Sequence, residues 1–219
     1  MKKTRTPWAR TFPWTLVIWA ALGTNAWGQG RRAAAFDVPL HVVWHDDVDD
    51  ALEAQAAGMP VLAFDGAKKR WHEVPESVRA LTELRYLIVS KNKLHDLPPW
   101  LPELANLTVI LADHNRMEAF PEVLLRMPNL VQISLGENFI QGIPLDIDAL
   151  QNLRFLALWG NVLAQFPASL GNLERLEVLD LIHNDMTVEE QDMVTHLLPG
   201  VRVLMSPPCL CEFDLPPDD

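Results

Sequence analysis

The chain has 219 residues, of which 49% are hydrophobic and 21% charged, so it is large and apolar enough to bury the core of one domain. This composition excludes a wholly disordered chain, a collagen and a small disulfide scaffold. The net charge is −11, and removal of residues 1–28 would leave 14 basic against 29 acidic residues, a net charge of −15. Because binding to nucleic acid or anionic lipid requires a basic surface, the charge disfavours both functions.

Residues 1–28 have the order of a secretory signal peptide. Four basic residues precede an apolar stretch over residues 12–22, and small residues follow, with a cleavage site after Ala26 or Gly28. The apolar stretch is shorter than the ~18 residues that span a bilayer, and an uncleaved signal anchor is the alternative. We therefore expect an exported bacterial protein, located in the periplasm, on the cell surface or in the medium, with no membrane span in the mature chain.

Residues 29–43 are predicted to be a flexible segment, and residues 44–60 an N-terminal cap helix. The acidic run that begins at Asp46 favours a helix N-terminus, because carboxylates there interact well with the helix dipole. A calcium-binding loop is the weaker interpretation of this run, because its fifth position would be Ala51 and its sixth is not a glycine.

Residues 61–205 contain a 23-residue repeat. Its most regular member is an asparagine, taken here as position 0 of each repeat: Asn92, Asn115, Asn138, Asn161 and Asn184. Apolar residues recur at positions −11, −8, −5, −3 and +2, and four repeats carry a proline at position +6. A degenerate repeat precedes these five, with Lys69 in place of the asparagine.

The spacing predicts the structure of each repeat. Apolar residues at −5 and −3 share one face of a short strand, and the proline opens a turn or short helix. One repeat cannot bury its apolar face alone, so the repeats must stack into a solenoid. A buried asparagine can donate to and accept from backbone groups of neighbouring turns, so we expect the five asparagines to form a structural ladder.

The pattern LxxLxxLxLxxNxLxxLP resembles the leucine-rich repeat superfamily, in the 23-residue class found in bacterial and Ras-suppressor-like proteins. The resemblance covers about residues 61–204. It implies an α/β fold, a curved solenoid with parallel strands on the concave face, short helices or turns on the convex face, and helical caps at both ends. It implies little about chemistry, because function resides in sites placed on a fold.

The C-terminal end of the array is predicted to be capped. Residues 187–190 have the sequence of a capping box, which should begin a helix that ends near Leu198, and residues 201–205 can form a last strand. Residues 206–219 form a proline-rich tail with Cys209 and Cys211. The two thiols could form one local disulfide, pair with another chain or bind a metal weakly; no further ligands with the spacing of a metal site are present.

The strand face that the core does not use carries more apolar residues than solvent exposure explains. Its candidate partner-binding residues, at positions −6, −4 and −2, are Tyr86, Ile88, Val109, Leu111, Phe155, Trp159, Val178 and Ile182. A polar rim would consist of Asp113, His114, Glu137, Asp180 and His183. Apolar patches with aromatic anchors are typical of protein-binding surfaces, so a protein partner is predicted, with a glycan less favoured. Self-association, or coverage of the patch by the termini, is the alternative.

Catalytic motifs are not found in the sequence. It lacks the GxSxG, GxxxxGK[ST] and HExxH patterns, and neither Ser90 nor Ser134 has an evident histidine and acid partner. We therefore predict a non-enzymatic binding module without cofactor or metal.

Overall fold

A computed structural model describes residues 42–208, and all of its strands belong to one parallel sheet. The strands are β1 (Trp44–His45), β2 (Ala63–Asp65), β3 (Tyr86–Ile88), β4 (Val109–Leu111), β5 (Gln132–Ser134), β6 (Phe155–Ala157), β7 (Val178–Asp180) and β8 (Arg202–Leu204). They lie in the sheet in chain order. The predicted solenoid is confirmed. The predicted signal peptide, residues 29–41, Cys209 and Cys211 lie outside the described residues.

The register of the sheet follows the repeat. Tyr86 pairs with Val109, Val109 with Gln132, and Gln132 with Phe155, so equivalent positions of successive repeats lie side by side. Each repeat position therefore forms a row that crosses the sheet at the strand spacing of about 4.8 Å.

Short 3₁₀ helices connect the strands on the other side of the array. Their bounds are Glu76–Ala80, Leu101–Glu103, Glu122–Arg126, Ile147–Ala149 and Ala168–Asn172. Three of them follow directly after the proline at position +6, whose fixed φ and missing N–H suit the start of a helical turn. Each of these five connections thus contains a 3₁₀ helix where the sequence predicted a turn or a short helix.

The core fills the space between the sheet and these turns. Ile133 and Leu135, at positions −5 and −3, have no exposed surface, and the same holds for Leu130 at −8 and Ile140 at +2. In the degenerate repeat, Trp71 stacks parallel to Phe64, with ring centroids 6.3 Å apart.

The five asparagines at position 0 are buried and link successive turns. The side chain of Asn138 donates to the carbonyls of Ala112 (3.2 Å) and Leu135 (2.9 Å), and its Oδ1 accepts from the N–H of Met117 (3.1 Å). Asn92, Asn115, Asn161 and Asn184 make the corresponding bonds. The ladder satisfies backbone groups in turns that no strand pairing reaches.

A second row of asparagines, which was not predicted from the sequence, lies at position −9. Asn106, Asn129 and Asn152 are outside the core, and each donates to a carbonyl of the preceding repeat, at 2.9–3.1 Å. These bonds join neighbouring repeats near the start of their strands.

The N-terminal helix is shorter than the predicted 44–60. Helix α1 spans Val48–Ala56 and begins after Asp47, whose side chain accepts from the backbone N–H groups of Asp49 and Asp50. Trp44 and His45 are extended instead, because they pair with Ala63 and Phe64 as strand β1.

The C-terminal cap agrees with its sequence signal. Helix α2 spans Val188–Leu197, and Thr187 and Glu190 form both bonds of a capping box. Strand β8 follows it, within the predicted residues 201–205. Within residues 42–208, no helix has the length and apolar character needed to cross a membrane.

Candidate partner-binding face

We call the surface formed by positions −6, −4 and −2 the strand face. The strand residues at −6 and −4 flank the buried residue at −5, so they project from the opposite side of the sheet. Seven of the eight predicted binding residues are half-buried, and Val109 is buried, with 8% of its surface exposed. The candidate site is therefore a packed surface and not a set of freely exposed side chains.

The apolar residues of the strand face form two groups. One group lies on and beside β3 and β4 and contains Tyr86, Ile88, Val109 and Leu111, and the other lies on and beside β6 and β7 and contains Phe155, Trp159, Val178 and Ile182. Between them β5 contributes Gln132 and Ser134, each only 3% exposed. The surface thus has two apolar regions on either side of a polar centre.

Trp44 extends the first apolar group and was not predicted to belong to it. Its ring lies 6.2 Å from that of Tyr86 between centroids, and it is 37% exposed. The residue between them in the row is Ala63, whose small side chain leaves room for both rings. The periodicity does not reveal Trp44, because its separation from Ala63 in the chain is shorter than one full repeat.

Trp159 crosses the polar centre of the face. Its indole ring lies against Gly136, where a Cβ atom would overlap the ring, and it meets the ring of His114 edge-on, with centroids 5.5 Å apart. One tryptophan therefore contacts residues from the two preceding repeats. The glycine at position −2 of the middle repeat makes this arrangement possible.

Phe155 is contacted by the neighbouring residue Arg154. The guanidinium of Arg154 lies 5.5 Å from the centroid of the Phe155 ring, and Arg154 forms an ion pair with Glu177. These contacts hold one edge of the second apolar group in place.

Two of the five predicted rim residues are not at a rim. Asp180 is buried, with 9% of its surface exposed, and accepts from the N–H of Ile182. Asp113 is half-buried, and its Oδ1 accepts from the hydroxyl of Ser134 (2.5 Å) and the N–H of Gly136 (2.8 Å). His114, Glu137 and His183 are exposed. The two aspartates lie inward because nearby hydroxyl and backbone groups supply hydrogen-bond donors to them.

Comparison with known proteins identifies the repeat. The family model described as a leucine-rich repeat region matches residues 57–206. The chain belongs to the leucine-rich repeat family. Proteins of this family typically mediate protein–protein interactions. None of the curated proteins is significantly similar to the chain.

Several solved leucine-rich repeat structures are similar to this one. A leucine-rich repeat protein of Leptospira interrogans is 29% identical, with a TM-score of 0.56, over 60% of this chain and 33% of that protein. Internalin C2 of Listeria monocytogenes is 20% identical, with a TM-score of 0.56, over 67% and 62% of the two chains. A second Listeria internalin is 18% identical, with a TM-score of 0.52, over 74% of this chain and 46% of the internalin. The alignment thus spans a third of the Leptospira protein and less than half of the second internalin.

Residues 42–208 contain no group of three or more His, Cys, Asp or Glu side chains that could hold a metal ion. Ser90 and Ser134 both hydrogen-bond to Asp113, at 3.4 and 2.5 Å. Both serine hydroxyls donate to the carboxylate of Asp113. Ser90, Asp113 and Ser134 thus link three adjacent repeats of the strand face.

Burial raises the pKa of the Asp113 carboxyl. Hydrogen bonds from Ser134 and Gly136 and the charge of His114 oppose this rise without cancelling it. A carboxyl with a raised pKa in the folded state binds its proton more tightly there than in the unfolded chain. Its contribution to stability is therefore lost as pH rises through its ordinary pKa towards the raised one.

Replacement of Asp113 by Asn should remove this pH dependence. We expect the free energy of unfolding of the Asn variant, relative to the unmodified protein, to increase as pH rises from below the ordinary aspartate range to neutrality. Urea denaturation of both proteins at several pH values measures the difference, in which titrating groups that do not interact with Asp113 cancel. A difference that is constant with pH, or that decreases, would show that the pKa of Asp113 is not raised.

Proposed function

We propose that this leucine-rich repeat protein is a non-enzymatic module that binds a protein partner through its strand face. The observation that carries the proposal is the presence of aromatic and aliphatic side chains in both apolar regions of a surface that the core does not use. Solvated positions would be expected to be polar, and a large apolar patch is typical of an interaction site.

The packing of these side chains supports the proposal. Tyr86 contacts Trp44, Phe155 contacts Arg154, and Trp159 contacts His114. Side chains already held in one arrangement lose little conformational entropy on binding, and Trp and Tyr are enriched among the residues that dominate interface energies. The two apolar regions would provide the anchors for the partner.

The site of action is proposed to be outside the cytoplasm of a bacterium, in the periplasm, on the surface or in the medium. This rests on the signal-like order of residues 1–28. N-terminal sequencing of the protein recovered from an expressing bacterium tests it. A chain that begins at Trp27 or Gln29 is expected, and an intact N-terminus found only in the cytoplasm would contradict it.

Charge substitution on the strand face tests the proposed function. We expect the double variant Phe155→Asp/Trp159→Asp, used as bait without residues 1–28, to lose a partner that the unmodified bait captures from envelope extract. A carboxylate cannot be buried at an apolar interface without losing its hydration, which costs several kcal/mol. Quantitative mass spectrometry of the captured proteins provides the measurement.

A matched control carries the same charge change elsewhere. Leu145→Asp/Val188→Asp replaces two exposed apolar residues outside the strand face and should retain the partner. Circular dichroism must first show that both double variants are folded. Equal capture by the two variants would contradict a binding site at Phe155 and Trp159. If the captured protein is a second copy of the chain, and the mass in solution falls on substitution, the face serves self-association instead.

A further inference from the structure

A basic patch lies beside the strand face, where the strands turn into the next connection. It comprises positions −1, 0 and +1 of the first three repeats and contains Lys68, Lys69, Arg70, Lys91, Lys93 and Arg116. Residues 42–208 contain 12 Lys and Arg against 24 Asp and Glu. Half of the positive charges in this acidic part of the chain are therefore concentrated in one region.

No acidic residue occupies these positions in the three repeats; His114 and two ladder asparagines complete them. The nearest acidic side chains in sequence lie on either side, at positions −4, −2, +3 and +4: Asp65, Glu73, Asp96, Asp113 and Glu118. Among the described residues, all three ion pairs involve Arg79 or Arg154, and none involves the basic patch. Its positive charge is thus not neutralised by ion pairing within residues 42–208.

The backbone beneath the basic patch is fixed by bonds between repeats. The N–H of Lys68 donates to the carbonyl of Ser90, that of Lys91 to Asp113, and that of Lys93 to Trp71. Lys68, Arg70 and Lys91 have positive φ values near 60°, a conformation that costs a non-glycine residue about 1 kcal/mol. The basic side chains are therefore attached to a rigid backbone, in rows about 4.8 Å apart.

The row at position +1 continues from basic to apolar side chains. After Arg70, Lys93 and Arg116 it reaches Phe139 and Val162, each 55% exposed. These two residues belong to neighbouring repeats, so they lie side by side next to the basic patch. Together they form a continuous surface with a charged part and an apolar part.

We propose that this surface binds an acidic segment of a partner protein that also carries an apolar residue. The acidic side chains would pair with the basic patch, and the apolar residue would contact Phe139 and Val162. This site is separate from the proposed strand-face site and does not depend on it.

Charge and size favour a protein segment over an anionic membrane. The described chain has twice as many acidic as basic residues, so a broad anionic surface would meet repulsion around the basic patch. The basic patch extends over three repeats, so its outer rows lie about 10 Å apart. This width is close to the Debye length of about 8 Å at physiological ionic strength, beyond which exposed charges are largely screened. A narrow acidic chain can interact with the basic patch alone.

A synthetic peptide tests the proposal directly. The probe is a capped peptide with four consecutive glutamates followed by Phe and Leu, and its control has lysines in place of the glutamates. We expect the chain without residues 1–28 to bind the acidic peptide, with an affinity that falls as salt is added, and not to bind the lysine peptide. Fluorescence anisotropy of labelled peptide measures both.

Charge reversal identifies the binding surface. Lys91→Glu/Lys93→Glu/Arg116→Glu should weaken binding of the acidic peptide on the order of 100-fold, since three attractive contacts become repulsive. The matched control reverses Arg85, Arg175 and Arg202, which are exposed and do not line the cavity that Arg116 shares with Arg126, and it should change affinity much less. Phe139→Ser/Val162→Ser should weaken it by about tenfold, the effect of burying fewer apolar atoms.

The outcomes are distinguishable from those for the strand face. The Phe155→Asp/Trp159→Asp variant should bind the acidic peptide normally, whether or not it still captures a partner. The proposal is overturned if the unmodified chain does not bind the peptide, if both triple reversals weaken binding equally, or if the strand-face variant loses it. Binding to phosphatidylglycerol vesicles without binding to the peptide would assign the surface to a membrane and overturn it as well.

Discussion

Replacement of Asn138 by Ala should lower the free energy of unfolding by about 2 to 4 kcal/mol. Asn138 is 4% exposed and supplies the acceptor for the N–H of Met117, a buried group with no other hydrogen-bond acceptor among the described residues. The carbonyls of Ala112 and Leu135 would each keep a bond from a neighbouring ladder asparagine. The main loss is therefore the buried N–H left without a partner.

Asn129→Ala is the matched control for this prediction. Asn129 belongs to the same repeat but is exposed, and it makes one bond, to the carbonyl of Ala105 at 3.1 Å. Its removal should cost less than about 1 kcal/mol, because water can replace the lost donor. Urea denaturation gives both values. Equal losses in the two variants would mean that the ladder contributes no more than a surface hydrogen bond.

Replacement of Gly136 by Ala should displace Trp159 and lower the free energy of unfolding by about 1 to 3 kcal/mol. The new methyl group would overlap Cε2 and Nε1 of the indole ring, so either the ring or the backbone must move. Because Trp159 also contacts His114, we expect the variant to lose this ring contact and to weaken binding at the strand face.

Gly142→Ala provides the comparison for the Gly136 variant. A Cβ atom there would lie 3.1 Å from Cβ of Gln165, a contact that a backbone shift of a few tenths of an ångström would relieve. The cost should therefore stay below about 1 kcal/mol. A double-mutant cycle isolates the cause. In a Trp159→Ala background, Gly136→Ala should cost little, because the ring it would strike is absent. An unchanged cost in that background would place the strain elsewhere.

The regular spacing of the repeat is sufficient to predict the fold. Five asparagines at a constant 23-residue interval, with apolar residues at fixed positions, require every repeat to adopt the same strand and turn. The core and the register then follow, because only one stacking buries all the apolar rows. The capping box at Thr187 was equally predictable, since both of its bonds are made between Thr187 and Glu190.

The N-terminal strand and the start of the first helix could not be predicted from the repeat, because the periodicity breaks there. Trp44 is included in the predicted cap helix because the acidic run follows it directly. The step from β1 to β2 is shorter than one repeat, so only the pairing of Trp44 with Ala63 shows that it belongs to the strand face. The acidic run indicated a helix start, but the N-cap bonds of Asp47 place that start at Val48.

Contacts between repeats determine the burial and the charge of the candidate sites. Position −2 suggested that Asp113 belonged to a solvated rim, yet donors from Ser134 and Gly136 in the next repeat draw it inward. The net negative charge disfavoured functions that require a basic surface, yet stacking brings together cations from successive repeats. Periodicity was enough to predict the solenoid, because a single arrangement of the chain buries all the apolar rows. Which side chains meet across repeats could be seen only in three dimensions, because those contacts depend on neighbouring turns and not on the residue's own repeat.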